Sequence, residues 1–263
     1  MLSFLALTVA FVAIISTTTA HYTFPNLLYK GTQYPDYTYI RRTWNYQNYY
    51  PLFDLNSPVL QCFTNGSFPN PGTLTVSAGD TVGFKVSGRI IHEGPLLFYM
   101  AKAGFRQSAA SMTGAGAIWV KINETKPVIT NVPEELELYK WPYYNAAEVH
   151  IQIPPCLPTG DYLLRVEHIA LHIAFEEGQH EFFGACAQLK VVNGGNGVPG
   201  PYTSFPGAYS SDDPGLLSYI PNREVRTANS EDFVGFLRKF VLFALAGCKV
   251  GCKVPHTISL NES

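Results

Sequence analysis

Apolar and polar side chains alternate along several short segments in the middle of the chain. Because successive side chains of a strand point to opposite faces, this period of two predicts strands with one buried face. Glycine, proline and asparagine separate the segments, and the Ser-Ala-Gly-Asp sequence at residues 77–80 is a predicted turn between two strands. The pattern predicts an all-β fold, an antiparallel β-sandwich. The alternating apolar positions are Leu74 and Val76; Val82, Phe84 and Val86; Val149, Ile151 and Ile153; and Leu189 and Val191.

The composition supports this fold class and excludes others. Only 14% of the 263 residues are charged, 14% are aromatic and 46% are hydrophobic, which is not the composition of a disordered chain. The 18 Lys and Arg residues against 20 Asp and Glu residues leave a formal net charge of −2. A nucleic-acid-binding protein needs a basic excess to neutralise phosphates, so we expect no nucleic acid among the partners.

Residues 1–20 have the features of a secretory signal peptide. Residues 5–15 form an apolar run, and Thr18 and Ala20 place small side chains at positions −3 and −1 of a cleavage point. The alternative is a membrane anchor, but the run is shorter than the roughly 20 residues that span a bilayer. We therefore expect cleavage after Ala20, a secreted extracellular protein, and His21 as its first residue.

The end of the chain differs from the part before it. Residues 233–246 are apolar apart from Arg238 and Lys239, a pattern typical of an amphipathic helix and not of a membrane span. We therefore divide the mature chain into a β-sandwich domain at residues 21–222 and an atypical tail at residues 223–263.

The cysteines and the glycosylation sequons fit a secreted protein. Secretion permits disulfides, but the five cysteines are an odd number, so at least one thiol is free or paired with another chain. Asn65 and Asn123 each begin an acceptor sequence for N-glycosylation, as does Asn261 near the end of the chain.

An N-terminal histidine offers metal-binding chemistry that no internal histidine has. The α-amine and the ring Nδ1 of His21 can chelate one ion together, since the amine loses its proton readily when a metal binds. One more imidazole gives three nitrogens in a T, an arrangement that suits Cu(II). The loop that ends in Gly-Pro would hold His92 at a sheet edge, where ligands are often carried. The other candidates are His150 on an outward strand face, His168 and His172 on a shared strand face, His180, and His256 in the tail.

No motif for hydrolysis or phosphate binding is present. The chain contains no GxSxG, HExxH or phosphate-binding loop sequence. Paired carboxylates of a glycoside hydrolase cannot be chosen either, because separations in space do not follow from the sequence. The glutamates available for such a pair are Glu93, Glu167, Glu176, Glu177 and Glu181.

Several stretches, taken in order, resemble the fungal copper-dependent lytic polysaccharide monooxygenases of auxiliary activity family 9, formerly classed as glycoside hydrolase family 61. Their order and spacing over residues 21–220 are more specific than any one of them. The stretches are HYTFP at 21–25, AGDTV at 78–82, HEGPLLFYMA at 92–101, GDYLLRVEHIALH at 160–172, CAQL at 186–189, and FPGAY at 205–209 followed by DPG at 213–215.

The resemblance implies a fold, a cofactor and a reaction. The fold is an immunoglobulin-like β-sandwich catalytic domain with long loops and a flat active face. The cofactor is one copper ion held by the amine and ring of His21 and the ring of His92. The reaction is oxidative cleavage of cellulose or related β-1,4-glucans with O2 or H2O2 and an external electron donor. We expect a monomer that acts on a polysaccharide surface, with no membrane partner.

The resemblance also assigns roles around the copper site. His172 matches the histidine that hydrogen-bonds the oxygen species, and Cys62 and Cys186 match the usual disulfide. Tyr209 matches an aromatic side chain of the flat face, where a ring can stack on a sugar. We add Tyr22 as a second candidate for substrate contact.

Two positions depart from the family pattern. Counted back from Cys186, Glu181 stands where the family has Gln, and Phe183 stands where it has the axial Tyr. Phe183 has no polar atom, so it can only fill the axial position. Glu181 can accept a hydrogen bond, and its negative charge near copper should favour Cu(II). We place Glu181 and Phe183 beside His172 in the catalytic site.

Other functions remain open at this point. A copper-binding protein of the same fold without oxidative activity would bind copper and yield no oxidised sugars. A carbohydrate-binding protein without metal would retain cellulose in the presence of a chelator. A hydrolase would release unoxidised sugars without any reductant.

Overall fold

The computed structural model describes residues 21–66, 68–129 and 139–216. Their regular structure consists of strands and three short 3₁₀ helices at Pro58–Gln61, Ala109–Ser111 and Pro214–Leu216. The strands are β1 Asn26–Tyr29, β2 Thr32–Gln33, β3 Leu74–Ser77, β4 Thr81–Lys85, β5 Leu96–Lys102, β6 Trp119–Glu124, β7 Val128–Ile129, β8 Tyr139–Lys140, β9 Glu148–Gln152, β10 Gly160–Ala170 and β11 Glu181–Val192.

Two sheets form the sandwich. One has the strand order β2-β1-β4-β9 and the other β3-β11-β10-β5-β6, while β7 and β8 pair separately. All four segments that alternate in the sequence contribute to strands, so the predicted β-sandwich is confirmed. Strand neighbours are antiparallel except β3 and β11, which are parallel. The turn at residues 77–80 carries the chain from β3 in one sheet to β4 in the other instead of closing a hairpin.

The five-stranded sheet is covered on both faces. Phe183, Ala185 and Leu189 of β11 point toward the second sheet and pack in one core cluster with Phe84 and Val149. Phe182 and Cys186 point the other way, into a second cluster that also contains loop residues. This double burial explains why β10 and β11 read as nearly continuous apolar runs rather than as alternating strands.

A disulfide joins the second cluster to β11. Cys62 and Cys186 are bonded, with their Cα atoms 5.0 Å apart, which confirms the implied pairing. The bond fixes the long loop before β3 against the strand that begins at Glu181. Cys156 is buried, and the two remaining cysteines, Cys248 and Cys252, lie outside the described part of the chain.

Several sequence predictions fall partly or wholly on residues that the structure does not describe. The signal peptide at 1–20, the domain boundary at 222, the tail at 223–263 and its amphipathic segment are among them. Of the two sequons in the described part, Asn65 is exposed and Asn123 is half-buried on β6, and their glycosylation stays a prediction. Among the residues described, no helix is long and apolar enough to cross a bilayer.

Candidate metal centre

The site forms where the start of the described chain meets the ends of two strands. Thr23 donates its amide to the hydroxyl of Ser87 over 2.8 Å, and Ser87 donates its amide to the Thr23 carbonyl over 3.0 Å. These bonds hold His21 and Tyr22 against the segment that follows β4. His21 thereby comes to lie near the loop that carries His92.

The His92 loop is held against the end of β10. Leu171 donates its amide to the Glu93 carbonyl over 2.8 Å, and Ile169 donates to the Pro95 carbonyl over 3.1 Å. Gly94 has a φ of +149°, and a Cβ there would lie 1.8 Å from the Ile169 carbonyl oxygen. Only glycine fits this close approach of two backbones, so the Gly-Pro pair after His92 does position the loop.

Three histidine rings gather at this point. The rings of His21 and His92 have centroids 5.9 Å apart. His172 follows β10 and stacks on His92, with centroids 3.8 Å apart and planes 5° from parallel. Burial lowers the pKa of His172, and the charge of nearby His21 adds to this shift. His172 is therefore a neutral imidazole at pH 7.

Glu181 completes a set of metal-ligand atoms. It is the first residue of β11, and its Oε1 lies 4.0 Å from His21 Nε2. One ligand atom each from His21, His92 and Glu181 lie within 4.8 Å of one another. The Glu181 side chain is only 6% exposed, and burial raises the pKa of its carboxyl group.

The donor chemistry of this set fits copper. Imidazole nitrogen is a good ligand for copper, and a carboxylate oxygen can complete a mixed nitrogen and oxygen site. Glu181 Oε2 is buried without a hydrogen-bond partner among the described residues. A buried charge is costly unless it is paired or binds a metal, so a cation in this place would satisfy the carboxylate. The residues present therefore fit a copper ion.

The floor of the site is apolar. Phe183 is fully buried, and its ring centroid lies 5.9 Å from that of His21 and 6.0 Å from that of His92. Tyr22 stacks beneath it with centroids 4.5 Å apart. The axial position and the role of Phe183 both stay predictions.

The prediction that Tyr22 contacts substrate is wrong. Its side chain lies in the core with 1% exposure, and its hydroxyl is hydrogen-bonded to His168 Nδ1 over 2.5 Å. The reason is that Tyr22 enters the space between the sheets, where it packs on Phe183 and Phe24. A sugar cannot reach a ring in that position.

His168 is the buried partner of Tyr22. Desolvation, with a smaller effect from His92, lowers the pKa of His168 to about 3, so the ring is neutral, and its Nδ1 shares a hydrogen bond with the Tyr22 hydroxyl. The sequence placed His168 and His172 on one strand face, but only His172 reaches the site rim. His168 lies four residues earlier in the chain, within β10 and deeper in the core.

Tyr209 is half-buried on the far side of the five-stranded sheet from Phe183. Its hydroxyl donates to Glu167, and its ring lies 5.3 Å from that of Phe182. Stacking of a sugar on Tyr209 stays a prediction, but the hydroxyl is already engaged.

Sequence reasoning missed an exposed aromatic beside the histidines. The Tyr50 ring is 58% exposed and its centroid lies 6.1 Å from that of His21. Leu52 and Phe182 exchange backbone hydrogen bonds of 3.0 and 2.8 Å, which anchors this loop to β11. The signal was the tyrosine-rich run at residues 46–50. Ile91, Ile173 and Phe175, next to His92 and His172 in the chain, are also exposed.

Comparison with known proteins identifies the family. The model of Auxiliary Activity family 9 (formerly GH61) matches residues 21–229. A lytic polysaccharide monooxygenase of this family from Malbranchea cinnamomea is 46% identical over 214 residues, covering 81% of this chain and 91% of that protein. Another from Thermothielavioides terrestris is 45% identical over 201 residues, covering 75% and 84%.

A solved structure is similar as well. The crystal structure of a cellulose-active polysaccharide monooxygenase from M. thermophila matches with a TM-score of 0.61 and 26% identity, covering 77% of this chain and 92% of that one. The chain therefore belongs to Auxiliary Activity family 9. The predicted family and the enzyme class, a lytic polysaccharide monooxygenase, are both confirmed.

Proposed function

We propose that this protein is a secreted copper monooxygenase that cleaves cellulose or a related β-1,4-glucan, using O2 or H2O2 and an external reductant. One observation carries the proposal: His21, His92 and Glu181 offer metal-ligand atoms within 4.8 Å of one another in a chain of this family. A similar solved structure is that of a cellulose-active enzyme, which favours cellulose among the glucans.

Cleavage after Ala20 would free the amine of His21. The amine and ring of His21 and the ring of His92 would then hold the ion. When bound, copper supplies one-electron redox chemistry and the activation of the oxidant. The protein supplies the position of that ion relative to the glucan chain.

The surrounding side chains have separable tasks. Phe183 and Tyr22 keep water from the floor of the site, because both are fully buried against the histidine rings. The Nδ1 of His172 is buried and has no partner among the residues described, so a hydrogen bond from this neutral ring at the open side would use Nε2. Tyr50 offers an exposed ring on which a sugar can stack.

The second candidate is a copper protein of this fold that does not oxidise sugars. The observation in its favour is the carboxylate of Glu181, since a negative charge close to copper stabilises Cu(II) over Cu(I). A protein that resists reduction would bind copper and release no oxidised product.

The test uses protein that begins at His21 and is loaded with copper. It is incubated with amorphous cellulose and ascorbate, and the products are analysed by mass spectrometry. We expect aldonic acids or C4-oxidised oligosaccharides that disappear in His21→Ala. Copper binding without oxidised products, on cellulose and on other β-1,4-glucans, would favour the second candidate.

A further inference from the structure

Glu181 lacks the partners that a buried carboxylate requires. Its side chain is 6% exposed, and Oε2 makes no hydrogen bond to any described residue. The described chain places no lysine or arginine in an ion pair with it, and the only ion-pair partner is His21 at 4.0 Å. An unpaired buried carboxylate costs free energy that a bound cation would recover.

The strand itself leaves this position unpaired. Phe183, two residues further along β11, points to the same side of the strand and has no polar atom. Tyr22, below Phe183, gives its hydroxyl to His168. His21 and His92 each place one ligand atom within 4.8 Å of a Glu181 carboxylate oxygen.

We propose that Glu181 is a direct metal ligand, so that His21, His92 and Glu181 bind Cu(II) through their side chains even without the free amine of His21. The inference rests on the proposed copper site but does not require the oxidative activity. It predicts a metal site that exists before the leader is removed, since no member of the set is a backbone amine.

The separation of the donor atoms in the structure is compatible with one shared ion. Metal bonds to imidazole nitrogen and carboxylate oxygen are about 2.0–2.2 Å long, so two donors on opposite sides of an ion are about 4 Å apart. This set uses His21 Nε2, not the Nδ1 that a chelate with the amine requires, and Nε2 lies 4.0 Å from Glu181 Oε1. The full set within 4.8 Å needs side-chain shifts of less than 1 Å, roughly.

The experiment separates the amine from the carboxylate. Cu(II) affinity is measured by competition with a chelator for two forms, one that begins at His21 and one extended by a single glycine before His21. Each form is made as the parent, as Glu181→Gln and as Glu177→Gln. Glu177 is exposed in the loop before β11 and is outside the set of ligand atoms, so its substitution removes the same charge without removing a proposed ligand.

We expect the extended parent to bind Cu(II) and Glu181→Gln to weaken that binding by at least tenfold. Changes to groups that only orient ligands already cost about 10- to 100-fold, and loss of a ligand should cost no less. Glu177→Gln should stay within about twofold of the parent. The electron paramagnetic resonance spectrum of Cu(II) in the extended protein should change with Glu181→Gln and not with Glu177→Gln.

Two results would overturn the inference. One is an extended parent that does not bind Cu(II), and the other is a loss of less than tenfold in extended Glu181→Gln. Circular dichroism of the metal-free variants shows whether they are folded. These readouts use neither glucan nor reductant, so a protein that binds copper in this way and yields no oxidised sugar would refute only the proposed reaction.

Discussion

Two buried glutamates on neighbouring strands differ in the partners that surround their carboxylates. Glu167 of β10 is fully buried with the Arg165 guanidinium on one oxygen and the Tyr209 hydroxyl on the other. Glu181 of β11 is almost as buried, but Oε2 has no partner in the described part of the chain. Both strands lie in the same sheet, and Glu167 and Glu181 face its opposite sides.

The residue two places along the strand makes the difference. Arg165 stands on the same side as Glu167 and supplies a permanent positive charge. Phe183 stands on the same side as Glu181 and supplies none. The first glutamate is therefore neutralised by an arginine of its own strand, whereas the second has no cationic side chain in that position. One is a structural pair and the other is suited to a metal site.

Substitution of Arg165, the positively charged partner of Glu167, should have the largest effect on stability. Arg165→Met leaves Glu167 buried without its charge partner, and breaking such a pair costs about 3–5 kcal/mol. The free energy of unfolding in denaturant measures the loss. The double variant Arg165→Met/Glu167→Met should recover much of it, because two apolar side chains can replace a buried pair at little cost. A single-variant loss below about 1 kcal/mol would mean that the pair is not the support described here.

His168 is a third buried polar group, and it should make the metal-free protein sensitive to acid. Its pKa in the folded protein is about 3, against an ordinary value of 6.5. Between these values the unfolded chain binds the proton and the native ring does not, so stability falls as pH falls from about 6.5 towards 3. Unfolding free energies across this range measure the slope.

The control for this slope is a variant without the titrating ring. Tyr22→Phe/His168→Phe removes both members of the buried hydrogen bond and leaves no unpaired hydroxyl. The double variant should lose less stability on acidification than Tyr22→Phe alone. Equal losses in the two proteins would show that His168 is not the group responsible.

The two tyrosines near His21 should respond oppositely to substitution. Tyr22→Phe leaves His168 Nδ1 unsatisfied in the core, which costs about 1–3 kcal/mol. Tyr50→Ala should change stability by no more than about 0.5 kcal/mol, as is usual at the surface, and weaken retention on cellulose. Pull-down with cellulose and thermal unfolding of both variants give the comparison. Weaker retention on cellulose in Tyr22→Phe, together with unchanged retention in Tyr50→Ala, would reverse the assignment.

Local patterns predicted the fold better than they predicted the site. Strands such as Glu148–Gln152 followed from alternation because one face of each is buried. The parallel pairing of β3 with β11 did not follow, since it joins distant parts of the chain and leaves no local pattern.

Within the site, the sequence located His92 through its glycine-proline turn and Glu181 through its distance from Cys186. It misplaced Tyr22, because an aromatic next to a surface histidine can turn inward or outward and only packing on Phe183 decides. It missed Tyr50 because the exposure of a loop residue depends on how the loop is anchored, here through Leu52 and Phe182.

The smallest expected effect is also the one that distinguishes the two glutamates most directly. Glu181→Gln should stabilise the metal-free protein at pH 7, by about 0.5–1 kcal/mol, comparable to one hydrogen bond. Burial raises the pKa of the Glu181 carboxyl group, so at pH values between the unfolded-state pKa and the native pKa the native state holds a proton that the unfolded state has lost. The stability of the parent therefore falls as pH rises through that titration, and the advantage of Gln should grow with pH.

Copper should reverse the order of the two proteins. A ligand that binds only the native state stabilises it in proportion to its affinity, so the parent should gain more from Cu(II) than Glu181→Gln does. Thermal unfolding at several pH values, with and without Cu(II), measures both effects, and Glu177→Gln should follow the parent throughout. Breaking the Arg165–Glu167 pair should destabilise the metal-free protein. If Glu181→Gln destabilised it in the same way, Glu181 would be a structural group and the contrast between the two carboxylates would fail.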